Sequence, residues 1–165
     1  MSLYAYSGPV RDALLSWKLG NQEAGLAWLA QAAAPRLREL FQPGDLLLPV
    51  PMPLSRMRKS AMHHAAELCR CIAATTGADW DWRLLRRQGD QPRQSVLSGR
   101  ERQRNLRGAF ALDQRLIDPS AIKGRLWVVD DIHTTGATLR FAARALKPLG
   151  RDVHAFAMAR AVERG

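Results

Sequence analysis

Two adjacent carboxylates followed closely by a run of hydroxyls, small residues and one glycine could hold a phosphorylated sugar. In this 165-residue chain they occur within Val128 to Leu139, VVDDIHTTGATL. Asp130 and Asp131 suit sugar hydroxyls or a bound cation. Thr134, Thr135, Gly136, Ala137 and Thr138 combine consecutive backbone N–H donors, hydroxyls and a flexible glycine. At the N-terminus of a helix, free amides and the helix dipole both favour an anion, so such a segment is a phosphate cradle. An acid pair after a strand is often only a solvated turn, and Thr-Thr-Gly only a cap. Their fusion in this order favours a ligand site.

The flanking residues predict the elements that would position such a site. Leu126 to Val129 is a short apolar run of the kind that forms a strand covered on both faces. From Leu139 onward Leu139, Ala143 and Leu146 fall at helical spacing, and Gly150 stands where a helix would stop. The acids are thus expected at the strand's carboxyl end and the cradle at the helix start.

Elsewhere the chain alternates. Helices are predicted over Val10 to Leu19, over Glu23 to about Ala34 before Pro35, and over about Ala61 to Ala74. Strands are predicted at Leu46 to Val50, around Trp80 to Leu85, in a short piece at Ala109 to Leu112, and at Val153 to Ala159. The last is apolar and small enough to lie inside a parallel sheet. This alternation is that of an open α/β sheet, in which ligands bind at the carboxyl ends of the strands. One domain is expected over residues 1–165, with a helical part at 1–42 and a core at 43–165.

Lys and Arg number 25 against 15 Asp and Glu, a formal net charge of +10. That balance suits an anionic partner, either a polyphosphate or a nucleic acid. Eight arginines lie between Arg83 and Arg107, and Arg56, Arg58 and Lys59 form a second cluster. Aromatic residues flank the long basic segment without interleaving, so stacking platforms for single-stranded nucleic acid are not apparent. The bland alternative for that segment is a solvated basic loop. Cys69 and Cys71 are read as packing residues on different faces of a helix in a reducing compartment. The absence of CxxC, HExxH, a P-loop and GxGxxG disfavours a zinc site and nucleotide motifs of those types. No run approaches the length of a membrane helix and no leader is visible at the N-terminus, so a cytoplasmic location is expected.

The segment at 128–139 resembles the motif by which type I phosphoribosyltransferases bind phosphoribosyl pyrophosphate (PRPP). The resemblance implies an α/β fold, an open and mainly parallel sheet flanked by helices. It gives Asp130 and Asp131 to the ribose hydroxyls, and Thr134, Thr135, Gly136, Ala137 and Thr138 to the 5′-phosphate. Enzymes that salvage 6-oxopurines carry an Asp where this chain has Thr134, which disfavours a hypoxanthine or guanine acceptor.

Further positions narrow the resemblance to the ComF (competence-protein, GntX-like) branch. They are Tyr6, Gly8, Arg11, Lys18, Gly20, Pro49 to Pro51, Gln94, Leu97, Ser98, Arg102, Asn105, Leu106 and Gly108 to Phe110. Two departures stand out. Ser60 to His64 replaces an Arg-Gly-Phe-Asn-Gln stretch, and the cysteine-rich zinc ribbon with which members usually begin is missing. Of His63 and His64, one is expected packed and one exposed. His133 is read as packing beside the loop and His154 as a strand histidine.

The branch implies transfer of a phosphoribosyl group from PRPP with Mg2+ to a nitrogenous acceptor, with pyrophosphate leaving. Arg93, Arg100, Arg102 and Arg104 would then lie on a closing loop and act at the reacting centre, with Arg56, Arg58 and Lys59 on the pyrophosphate side. A rival expectation, also from the branch, is a protein associated with DNA uptake that keeps a PRPP or nucleotide site for regulation, or binds DNA through its Arg-rich face. A homodimer is a further expectation.

Overall fold

Leu46 to Pro49 and Leu126 to Val129 are apolar on both faces because each pairs in the middle of one sheet and is covered from both sides. The structure is a computed structural model and describes residues 1–20, 23–53, 63–88 and 108–161. In chain order its elements are β1 (Ser2–Ala5), α1 (Gly8–Gly20), α2 (Glu23–Leu40), β2 (Leu46–Pro49) and α3 (His64–Thr76). There follow β3 (Asp79–Trp80), β4 (Leu85–Arg87), β5 (Phe110–Leu112), β6 (Leu126–His133), α4 (Ala137–Ala145) and β7 (Val153–Arg160).

Five strands form one sheet in the order β1-β7-β6-β2-β3. Every pairing in it is parallel, with Leu46 opposite Leu126 and Leu126 opposite Val153. This is the open parallel α/β sheet that the resemblance implies. Alternation along the strands divides the core in two. Trp127, Val129, Phe156 and Met158 pack with residues of α1, α2 and α3. Leu126, Val128 and Ala157 pack with Leu139, Ala142 and Leu146 around α4 and with the β4–β5 hairpin.

From β2 the chain runs through α3 to β3 on one side. From β6 it runs through α4 to β7 on the other. The connections diverge between the adjacent strands β2 and β6, so the crevice at the carboxyl ends of these two strands is the sheet's switch point, where α/β proteins bind ligands.

Four elements differ from the sequence reading. β1 was not anticipated. It pairs with β7, which places Val153–Arg160 inside the sheet. α2 runs through Pro35 to Leu40 instead of stopping before the proline. A proline frees the carbonyl four residues back, but Gln31 and Pro35 both face water, and Ala33 and Leu37, fully buried, keep the helix docked beyond it. The strand expected at Trp80 to Leu85 is broken. Asp81 accepts from the backbone N–H of Arg83 at 2.7 Å and pairs with its guanidinium at 2.7 Å, and this side-chain turn sends β4 into a separate hairpin. β6 is longer than expected and continues through the acid pair to His133.

α1 and α2 cross closely at Gly25. A Cβ there would lie 2.5 Å from the carbonyl oxygen of Ala13. Gly25→Ala is therefore expected to destabilise the protein by about 1–3 kcal/mol, because backbone and not a flexible side chain must move. Denaturant unfolding checks this, and an unchanged midpoint would refute it.

Candidate functional site

The carboxyl end of β6 carries the acid pair into the switch-point crevice. Asp131 is 8% exposed. Its Oδ1 accepts from the backbone N–H of Ile132 at 2.6 Å, and its Oδ2 pairs with Lys18 Nζ of α1, also at 2.6 Å. Asp130 Oδ1 accepts from the backbone N–H of Asp131 at 2.9 Å. Burial, and then the neighbouring Asp131 carboxylate, push Asp130 well above the usual carboxylate range; Lys18 acts in the opposite sense. The site therefore favours one full negative charge over two, with a proton readily held by the other carboxyl.

After His133 the chain bends through Thr134 and Thr135, both exposed, to Gly136. Gly136 adopts φ +71°, a left-handed conformation that glycine reaches without strain, and caps α4 with no side-chain hydrogen bond of its own. The first amide of the helix, Ala137 N, lies 3.4 Å from Thr135 Oγ1. Thr138 follows in the first turn of α4. Thr134, Thr135, Gly136, Ala137 and Thr138 thus present hydroxyls and helix-start amides beside the two acids, an arrangement that takes an anion next to a diol.

His133 lies under this loop. Its Nδ1 is buried without a hydrogen-bond partner among the described residues and would be 3.8 Å from a Cβ at position 136. Burial pushes its imidazole down, so it is held neutral, in keeping with a packing role beside the loop.

A third side of the site comes from α3. His63 precedes the helix and caps it, its Nδ1 accepting from Ala66 N–H at 3.2 Å. Burial lowers its pKa although Asp131 opposes this, and the unprotonated ring is the form that can cap. His64 stacks edge-on against Trp17 of α1 with ring centroids 4.9 Å apart. Both histidines are half-buried, where one packed and one exposed was expected. Cys69 is buried in α3 and Cys71 is half-buried. Burial, with a smaller contribution from Asp130, pushes the Cys69 thiol well up, so it is a packing group and not a nucleophile.

Asp130, Asp131 and Thr134 to Thr138 are therefore brought together as the motif implies. Arg56, Arg58 and Lys59, and Arg93, Arg100, Arg102 and Arg104, lie outside the described residues. Lys18 is the functional candidate that residue reading missed. Its one sequence signal was its place in the Lys-x-Gly of the N-terminal resemblance, since helical periodicity shows a lysine only as a polar position. Among the described residues no group of three or more His, Cys, Asp or Glu side chains is placed to hold a metal. A divalent ion at this acid pair would thus need ligand oxygens from a bound phosphate, the usual manner of magnesium. No described helix is long and apolar enough to cross a membrane.

No family model matches the chain. It is similar to the DNA utilization protein YhgH of Escherichia coli O157:H7, 30% identical over 103 residues. That of Salmonella typhimurium is 31% identical over 103 residues. These matches cover 62% of this chain and 43% of the relatives, less than half their length. Competence protein F of Haemophilus influenzae is 28% identical over 94% of this chain and 70% of its own. A solved structure of the allosteric regulatory enzyme of purine biosynthesis superposes with a TM-score of 0.45 at 19% identity, over 78% of this chain and 25% of that one. In its motif and along nearly its whole length the chain is thus similar to competence protein F, and its parallel sheet is the open α/β fold that the ComF-like resemblance implies.

Proposed function

We propose that the site binds PRPP with Mg2+ and transfers its phosphoribosyl group to a nitrogenous acceptor. The observation that carries this reading is the meeting of an acid pair and a helix start whose N-cap, Gly136, brings no side chain, at the switch point of the sheet. Asp130 and Asp131 accept from the two ribose hydroxyls. The amides at the start of α4 and the hydroxyls of Thr134, Thr135 and Thr138 donate to the 5′-phosphate. The acceptor nitrogen attacks the anomeric carbon, the bond from that carbon to the pyrophosphate oxygen breaks, and the electron pair leaves with pyrophosphate. The acceptor then loses its proton. Magnesium, when bound with the pyrophosphate, neutralises charge that develops on the leaving group. On this reading Arg56, Arg58 and Lys59 neutralise the pyrophosphate, and Arg93, Arg100, Arg102 and Arg104 act at the reacting centre; all seven are outside the described residues.

Calorimetric titration with PRPP and Mg2+ tests the reading. One-site binding is expected, weakened about 10- to 100-fold in Asp131→Asn, the loss typical of a hydrogen bond to a charged group. No heat with the unaltered protein would remove the phosphoribosyl reading.

A second reading is favoured by the net charge of +10 and by relatives named for DNA utilization and competence. Here the protein serves DNA uptake and keeps the site for regulation. Gel shifts at increasing salt distinguish it, because phosphate contacts predict a steep loss of affinity. No shift at low salt would eliminate it.

A further inference from the structure

Lys18 belongs to neither the strand nor the loop of the motif, yet its ammonium nitrogen lies 2.6 Å from Asp131 Oδ2. The helix that delivers it is anchored along its buried face. Trp17, its neighbour, is 1% exposed and stacked on His64. Leu14, one turn back, is fully buried. The close crossing at Gly25 leaves α1 no room to approach α2 further. Lys18 therefore reaches the acid pair from a fixed base, unlike a surface lysine that samples many partners.

The exposures of the two side chains are informative. Lys18 is 27% exposed and Asp131 11%. Their attraction is thus less screened than on an open surface, and a ligand can still reach them. Two adjacent carboxylates, Asp131 buried and Asp130 half-buried, attract a cation, and many proteins meet that need with a divalent metal. In this chain a tethered ammonium stands there already. It has three donors, and only one is needed by Asp131 Oδ2.

We propose that Lys18 serves as the built-in cation of the acid pair, taking the position on Asp131 that a divalent ion would otherwise take. It holds that carboxylate aimed through the 2.6 Å contact, and it restricts any magnesium to the phosphate oxygens of the ligand. Lys18 acts through Asp131 and is a positioning residue. Its consequence for PRPP rests on the reading above; its effect on metal binding does not.

The test titrates Mn2+ into the full chain without any sugar phosphate and follows water-proton relaxation. Four proteins are compared: the unaltered chain, Lys18→Met, Lys18→Arg, and Lys18→Met combined with Asp131→Asn. Lys18→Met is expected to bind Mn2+ about tenfold or more tightly than the unaltered chain, since removing the ammonium uncovers the acids. Lys18→Arg, which restores a cation, should behave as the unaltered chain, and the double variant should lose the gain. A purely structural lysine would not produce that pattern. Should Lys18→Met melt early, Lys18→Gln carries the same expectation. Equal Mn2+ affinity with and without the ammonium, or a gain that survives Asp131→Asn, overturns the proposal. Failure of the unaltered chain to bind PRPP would sink the phosphoribosyl reading alone, and the Mn2+ comparison would still decide the role of Lys18.

Discussion

Asp45→Ala is expected to lower the free energy of unfolding by about 3 kcal/mol, a loss of roughly 6–12 °C in melting temperature. Asp45 is 2% exposed and stands at the start of β2. Its carboxylate accepts from the backbone N–H of Arg125 at 2.8 Å, a guanidinium nitrogen of Arg125 at 2.8 Å, Gln42 N–H at 3.0 Å and Trp127 Nε1 at 3.2 Å. Truncation would strand these donors. The Arg125 side chain is 41% exposed and recovers water, which keeps the loss below that of a fully buried pair. Burial alone would raise the Asp45 pKa, but the hydrogen bonds from Arg125, Gln42 and Trp127 prevail and hold it below the usual range. A carboxyl lowered on folding contributes stability that is present above about pH 4 and lost as pH falls through the folded value. Urea unfolding at pH 7 and pH 3 checks both points. A loss under about 1 kcal/mol at pH 7 would refute the account. Because Arg125 directly precedes β6, Asp45 ties together the two strands whose far ends flank the candidate site.

Asp130→Asn is expected to do the opposite. The variant should be more stable than the unaltered chain at neutral pH by about 1 kcal/mol, a gain common when a functional site loses an unfavourable group. It should also bind PRPP about 10- to 100-fold more weakly. Asparagine keeps an oxygen for the backbone N–H of Asp131 and removes the charge that burial and Asp131 disfavour. The sign with pH is distinctive. A carboxyl whose pKa is raised on folding binds its proton more tightly in the folded state, so stability falls as pH rises from about 4 through the folded value. The variant should lack this decline, whereas the acid-side loss due to Asp45 should remain in both. Paired unfolding curves from pH 3 to 8, with calorimetric titration, test the prediction. A variant that is less stable at pH 7 and binds PRPP normally would contradict it.

The sequence determined by itself those features that rest on neighbours in the chain. A run apolar on both faces and too short for a helix reads as a covered strand, so Leu46 to Pro49 and Leu126 to Val129 were legible. Hydroxyls and a glycine ahead of a helical pattern mark a helix start, so the placing of Thr134 to Thr138 at the beginning of α4, and of the acid pair just before them, was legible too. Features that depend on distant partners were not. β1 is four residues long with no clear alternation, and only pairing with β7 makes it a strand. Pro35 reads locally as a stop, and the burial of Ala33 and Leu37 overrides it. Lys18 and Asp131 are more than one hundred positions apart. Only the packing of Trp17 and the pairing order of the sheet bring them within 2.6 Å, because the energy that joins them comes from burying the residues around them and not from anything in their own segments.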